Sequence, residues 1–435
     1  MKFQRREFLK LGLLHAFAIG TAPQTLPLPG ILLKAGPSIL QGATDDSTTQ
    51  FSILYTTNDL EVFVTNSAGQ KWQPEAEQKI SFPQQPKKIL KVFFSNLHPG
   101  ETFQLHVVHP ATKKELDVRE FQTLDLNKTT VKFVVCSCLK AKLHDPLIWK
   151  NMVRHEPEVI FIVGDAVYAD GGTGAQGATP QLLWKRFAEA RNTLEIYYSK
   201  KLIPILAVWD DHDFGQDNGT SSYAYIKESQ ANFLNFFAQD EKHCRLLNRG
   251  PGIAFSYKLR DHLFVLLDDR TYRQPQGSQD RYAQWGQEQE TWMMDQIRAN
   301  TSPVWLMNGS QFFPVFPAKE SVAGKHPVQF AGLIEELRKI PTKVIFVSGD
   351  VHYTEISRIE EEMLGYETYE LTSSAVHSNN FPGVPEIVPN ERRIAGTGQK
   401  NYILMDSEVL GKDVLFKASC YNIRDVLQFQ IDFTV

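Results

Sequence analysis

Val159-Ile160-Phe161-Ile162-Val163-Gly164-Asp165-Ala166-Val167-Tyr168-Ala169-Asp170 is the stretch on which the fold turns. Its first five residues are β-branched or aromatic, which reads as a strand buried on both faces. A glycine ends the run, and two carboxylates and a phenol follow at once. The same grammar recurs along the chain. Residues 131–135 lead into Cys136-Ser137-Cys138, and residues 203–208 into Trp209-Asp210-Asp211-His212-Asp213. Residues 264–267 lead into Asp268-Asp269-Arg270, residues 304–307 into Asn308-Gly309-Ser310-Gln311, and residues 344–347 into Ser348-Gly349-Asp350-Val351-His352. Between these runs Asp145-Pro146 and Thr179-Pro180 each place a cap and a first-turn proline at a helix start. Further helices are predicted near 223–238, 284–299 and 328–339. Alternating strands and helices predict an α/β sheet covered by helices. In such sheets ligands bind outside the carboxyl ends of the strands, so six strands deliver polar side chains to one rim.

A single Asp after a strand usually caps the next helix. Six such ends, with Cys, Tyr, His and several Asp among them, imply more than caps. Clustered carboxylates repel and take up protons unless a cation sits among them. The set mixes hard oxygen donors with a thiol and a phenol, which favours iron beside a harder cation such as calcium or manganese. A metal pair lowers the pKa of water and clamps both oxygens of an in-line displacement. Phosphoryl transfer makes the fullest use of that arrangement.

These motifs resemble the PhoD-like (alkaline phosphatase D) family of the metallophosphoesterase superfamily. The resemblance rests on Ser137-Cys138, Gly164-Asp165-x-x-Tyr168, Trp209-Asp210-Asp211-His212-Asp213, Leu267-Asp268-Asp269-Arg270 and Gly349-Asp350-Val351-His352, in the family's order over about residues 132–376. It implies a β-sandwich flanked by helices and preceded by a small all-β fibronectin- or Ig-like domain. It implies that Cys138 and Tyr168 bind an iron-type metal and that Asp165 bridges to a second metal. Asp211, Asp350 and His352 fall where the superfamily places further ligands, and an Asp at 350 suits calcium. Asp210 is a ligand or a support for one. His212 is expected to stabilise the phosphoryl oxygens or protonate the leaving group, and Arg270 to clamp phosphate. The activity implied is hydrolysis of small-molecule or polymer phosphate esters, mono- or diesters, with iron and calcium or another metal pair as cofactors.

The chain departs from the family in places. Asp269 stands where Thr is common, Asp217-Asn218 reverses a frequent Asn-Asp, and Cys136 puts a second thiol beside Cys138. Cys244 and Cys420 read as buried thiols, and Trp149, Trp184 and Trp292 as packing. His377 is a candidate for the rim. Residues 171–177 are Gly-rich without a Walker Lys-Ser/Thr ending, and read as a loop bordering the site.

Outward from this core, residues 50–125 carry short β-type runs between Pro- and Gly-rich turns, the signature of a small sandwich. Leu97-His98-Pro99-Gly100 resembles a fibronectin type III turn. This part is read as structural or docking, with ligand binding as the alternative. Further out, Arg5-Arg6-Glu7-Phe8-Leu9-Lys10 precedes a weak apolar run at 11–19 and resembles a twin-arginine export signal, with Gln4 where Ser or Thr is usual. The run is shorter than the ~20 residues a membrane span needs, so no transmembrane anchor is expected in the mature chain. The resemblance implies the twin-arginine translocation machinery as a partner and a bacterial periplasmic or secreted location. That route carries folded proteins, and folding is coupled to metal capture. The divisions expected are 1–42 signal and linker, 43–127 β-module and 128–435 catalytic domain.

Composition sets the outer bounds. The 435 residues suggest more than one domain. A hydrophobic share of 42% and a charged share of 22% exclude wholesale disorder. A net charge of -4 argues against dedicated nucleic-acid binding. Four cysteines without a CxxC exclude a disulfide framework and a zinc ribbon. A non-catalytic surface binding protein on a degenerate phosphatase scaffold is the alternative function, and the intact acidic and His motifs argue against it. A sulfatase lacks support, since no Cys-x-Pro-x-Arg occurs.

Overall fold

A computed structural model describes residues 36–56, 59–316, 319–380 and 383–435. The export-signal stretch lies outside the described residues.

The first eight strands form two four-stranded antiparallel sheets. One runs β1 (Ser38–Thr44), β2 (Thr49–Tyr55), β6 (Lys88–Phe94), β5 (Ala76–Ser81); the other runs β4 (Lys71–Trp72), β3 (Glu61–Asn66), β7 (Thr102–Val108), β8 (Glu115–Gln122). Period-two alternation buries Phe103, Leu105 and Val107 of β7 while Thr102 and Gln104 face out. These residues share one core with Phe51, Ile53, Leu90 and Val92 of the other sheet, as a sandwich requires. Residues 38–42, expected as linker, instead belong to β1, which is buried throughout. Gly42 reads as a breaker, but its backbone makes a close approach. A Cβ there would sit 1.6 Å from the carbonyl oxygen of Ala238.

The remaining strands form two larger sheets. The first runs β11 (Ile205–Val208), β10 (Val159–Val163), β9 (Thr130–Cys136), β20 (Asn401–Leu410), β21 (Asp413–Asn422), β22 (Leu427–Thr434). The second runs β12 (Leu247–Arg249), β13 (Phe255–Leu259), β14 (His262–Leu266), β15 (Val304–Met307), β16 (Val344–Ser348), β18 (Thr368–Ser373), β17 (Thr354–Ile359), β19 (Arg393–Thr397). Aromatic contacts join them: Phe133 of β9 lies 5.1 Å, centroid to centroid, from both Phe264 of β14 and Trp305 of β15. Helices α1 (Pro146–Arg154), α2 (Pro180–Thr193) and α3 (Ile226–Phe236) add Trp149, Leu183, Phe187 and Phe233 to the core of the first sheet. Helices α4 (Gly286–Arg298) and α5 (Pro327–Arg338) bury Met293, Ile297, Leu333 and Leu337 against Leu263, Val265, Leu306 and Phe346 of the second. The Asp145 and Thr179 side chains cap α1 and α2 through Leu147 N and Leu182 N, as the sequence predicts.

Register sets the site. Cys136 pairs with Ile162, and Val163 with Val208, so the parallel strands β9, β10 and β11 end at one level. Leu266, Met307 and Val347 end β14, β15 and β16 together in the same way. The two rims are stitched: His377 N donates to Cys138 O at 3.0 Å, and Ser373 Oγ to Val135 O at 2.8 Å.

The sandwich is fastened to this body by polar contacts. Arg191, on α2, is buried and donates to Ser38 O (3.0 Å), Ser38 Oγ (3.1 Å), Ser52 O (2.7 Å), Ser52 Oγ (3.2 Å) and Phe236 O (2.9 Å). Tyr257 OH donates to Thr44 O at 2.6 Å, and Gln50 Nε2 to Asp240 O at 2.7 Å. Gly36–Val435 form one compact unit. Among the described residues no helix is long and apolar enough to cross a membrane.

Candidate metal centre

The chain must turn sharply where β9, β10 and β16 end, and it does so in the left-handed backbone region. Cys138 (φ 61°), Asp165 (φ 56°), Asp350 (φ 68°) and His352 (φ 65°) all lie there. That conformation costs a non-glycine residue on the order of 1 kcal/mol or more, and strain of this kind is retained where a side chain must be aimed. Glycines make room behind it. A Cβ on Gly164 would lie 2.6 Å from Asp210 Cβ, and one on Gly309 2.8 Å from Asp210 Cγ.

Three groups of donor atoms result, each spanning no more than 4.8 Å; Asp165 belongs to two of them, and Asp170, His212 and Asp217 form the third. Cys138, Asp165 and His352 form the first; Asp165, Asp211 and His212 form the second. Tyr168 joins the first, with its OH 3.1 Å from His352 Nε2 and 3.4 Å from Asp165 Oδ2. Cys138 Sγ lies 3.4 Å from the same Asp165 oxygen and 3.1 Å from Ser374 Oγ, which also accepts from His352 N at 2.8 Å. In the second group, Asn218 N donates to Asp211 Oδ2 at 2.8 Å. Asp170 Oδ1 meets His212 Nδ1 at 2.9 Å, while the His212 and Tyr168 rings lie 4.1 Å apart. Asp213 accepts from Val167 N and Asp210 N, which fixes both turns at once.

Electrostatics of the cluster call for a cation. Burial holds the Asp165 carboxyl and the Tyr168 phenol well above their ordinary values, and pushes the Cys138 thiol up against the hydrogen bonds from Ser137 and Ser374. Burial alone would lower His212, but Asp165, Asp170 and Asp211 overcome it and push the imidazole up to about 12. His352 is pushed down to about 4 by burial and by Lys319. Asp165 Oδ1, Asp210 Oδ2 and Asp211 Oδ1 are buried without a hydrogen-bond partner. Three orphaned carboxylate oxygens at one place, beside a thiol, a phenol and two imidazoles, fit a bound metal pair.

Other expected site residues take different places. Asp350 and Asp210 lie outside all three groups of donors. Burial pushes Asp350 up to about 6, helped by the charges of Glu320 and Asp211. Asp210 pairs with Arg270, whose Nε donates to Oδ1 at 2.6 Å. The phosphate clamp expected of Arg270 does not match its surroundings. Its side chain is fully buried, it does not line the cavity at the site, and its Nη2 meets Glu320 Oε2 at 2.7 Å. A buried guanidinium needs carboxylate partners, and Asp210 and Glu320 supply them. Asp268 accepts from Trp209 Nε1 (2.7 Å), Ile253 N (2.9 Å) and Thr271 Oγ1 (2.6 Å), and Asp269 from Ser310 N (2.9 Å) and Asn308 Nδ2 (3.1 Å), so both serve the fold. His377 is buried behind Cys138, its ring 5.2 Å from that of His144. Cys136 is fully buried within β9, and burial drives its thiol far up.

Residues that sequence reasoning gave no role include Asp170, Ser374, Asp213 and Glu320. Asp170 closes the quoted stretch and Asp213 closes the 209–213 motif, so position was a signal for both. Ser374 directly follows β18, and Glu320 had no signal. A cavity of about 650 Å³ opens beside the centre, with Tyr168, His212, His352, Asp170 and Asp217 on its wall together with Gly171, Gly172 and Gly174 of the Gly-rich loop.

Neither a family model nor a curated protein matches the sequence. Among solved structures, a structure of PhoD is similar with a TM-score of 0.71 at 15% identity, covering 95% of this chain and 90% of that one. A conserved uncharacterized protein from Streptococcus pneumoniae TIGR4, described as a predicted phosphoesterase, gives a TM-score of 0.28 at 10% identity over 71% of this chain and 99% of that one, a likeness too weak to carry an argument. What the first likeness shows is the fold, a PhoD-like α/β architecture.

Proposed function

We propose that this protein is an exported, metal-dependent hydrolase of phosphoric mono- or diesters. The observation that carries the reading is the pair of overlapping donor groups that share Asp165 and leave carboxylate oxygens of Asp165 and Asp211 unpartnered. Cys138, Asp165, Tyr168 and His352 would hold the softer metal, of iron type. Asp165 and Asp211, with Asp350 and Asp210 nearby, would hold a harder one such as calcium. Bound there, such a pair supplies Lewis acidity to phosphoryl oxygens and makes water acidic enough to attack at neutral pH. The chain does the rest. With Nδ1 engaged by Asp170, His212 has Nε2 left to meet a phosphoryl or leaving-group oxygen. The Tyr168 ring lies against the same imidazole, centroids 4.1 Å apart and planes tilted by 32°. Arg270 balances the charge of Asp210. The twin-arginine-like N-terminus supports export in the folded, metal-loaded state, to the periplasm or beyond.

The test is metal analysis of the purified protein together with turnover of a chromogenic phosphomonoester and a chromogenic diester. Expected are bound metal and hydrolysis of at least one ester. Asp165→Asn should lower the rate at least about 10³-fold, beyond the loss of a single stabilising donor, and should lower metal content. A metal-free, inactive protein after expression with iron and calcium would overturn the reading. An active Asp165→Asn enzyme with full metal content would show that the shared position lies elsewhere.

A further inference from the structure

The cavity beside the centre is larger than one phosphate needs. At about 650 Å³ it falls within the range of small-ligand pockets, roughly 300–1,000 Å³. One part of its wall is the candidate centre itself, through Tyr168, His212 and His352. Another part is cationic: Lys140, Lys142 and Arg186. Of the three carboxylates on the wall, Asp170, Glu189 and Asp217, the first two are held by neighbouring side chains. Asp170 is held by His212 at 2.9 Å, and Glu189 by Arg186 Nη1 at 2.9 Å. Among the described residues neither Lys140 nor Lys142 forms an ion pair with a carboxylate, and Arg186 Nε is buried without an acceptor. Lys140 is also close in, its Nζ 5.3 Å from the centroid of the Tyr168 ring. Arg270, the one arginine the motifs offered for phosphate, is fully occupied by carboxylates. The positive charge at this site that no carboxylate neutralises, that of Lys140 and Lys142, is therefore beside the reacting position, with the unpaired Nε of Arg186 adding a donor.

Resting on the hydrolase reading above, we propose that Lys140 and Arg186 form a second anion subsite. The preferred substrate is a phosphoester that carries a further anionic group, carboxylate or phosphate, on the portion bound in the cavity. Lys142, exposed at the same wall, draws that group in. The subsite selects among phosphoesters by charge at a distance from phosphorus, which is a specificity role.

Matched substrates test it on the metal-loaded full chain. Glycerol 3-phosphate and 3-phosphoglycerate differ by one carboxylate. The 4-nitrophenyl ester of thymidine 5′-phosphate and its 3′-phosphorylated form differ by one phosphate. The more anionic member of whichever pair is hydrolysed should have a kcat/KM about tenfold higher at low salt, and the advantage should shrink as salt rises. Lys140→Ala and Arg186→Met should each bring the ratio toward one, and Lys140→Arg should keep it. Equal turnover of a pair by the wild type, or a ratio unchanged in both Lys140→Ala and Arg186→Met, would overturn the subsite and leave the hydrolase reading standing. No turnover of any of the four esters would overturn both.

Discussion

Asp170 meets Nδ1 of His212 at 2.9 Å, and that contact selects the nitrogen left for chemistry. Replacing it tests positioning apart from metal capture. Asp170→Asn should lower kcat about 10–100-fold, the usual cost of losing a partner that orients a reacting group, while metal content stays at the wild-type level. A variant that loses metal in proportion to activity would make Asp170 a ligand instead. The same residues show what the sequence makes legible. Cys138, Asp165, Tyr168, Asp211, His212 and His352 stand directly behind predicted strands, and the fold brings their donor atoms together. Asp268 and Asp269 stand in the same kind of place but bind backbone, Trp209, Ser310 and Asn308. An Asp after a strand looks alike in sequence whether it serves a cap or a site; only its spatial partners tell them apart. Arg270 was misleading for that reason, because its partner Glu320 lies 50 positions away.

Strands and helices were legible wherever one period dominated. β9, β10, β15 and β16 are nearly continuous apolar runs because both faces are covered. β1 was not legible, since Pro37 and Gly42 punctuate it and the need for Gly42 arises from Ala238, far along the chain. Packing between elements also gives the protein a titration. His262 of β14 is buried and its Nε2 lies 2.9 Å from Ser407 Oγ of β20, so it bridges the two large sheets. Burial, aided by Arg260, holds its imidazole down to about 4. An imidazole depressed in the folded state contributes stability that is present above its unfolded pKa of about 6.5 and is lost as pH falls toward the folded value. Between pH 7 and 5 this amounts to about 2 kcal/mol. His262→Asn should therefore lose less stability than the wild type over that interval, as measured by denaturant unfolding at both pH values. Parallel pH dependence of the two proteins would refute the assignment.

Over the whole molecule, the sandwich and the large sheets are one compact unit, and Arg191 is a principal fastening between them. Its guanidinium meets hydroxyls and carbonyls, with the Tyr197 ring 4.6 Å away. Arg191→Met would leave buried acceptors of Ser38, Ser52 and Phe236 without donors. The expected cost is about 3 kcal/mol or more, seen as a lower midpoint in a single unfolding transition. Two separate transitions in the wild type would mean that the sandwich is stable by itself. The fibronectin-like punctuation made the sandwich legible, but its attachment was not, because that attachment runs largely to main-chain acceptors, which carry no sequence signal. Helix α2 joins the two themes. It bears Arg186 on the cavity wall and, five residues on, Arg191 in the seam with the sandwich. Five residues of helix are a stiff rod of about 7.5 Å. Anyone who excises the sandwich near residue 127, or grafts it onto another chain, therefore cuts free the far end of a strut whose near end lines the cavity. The chain divides there, but the mechanics do not.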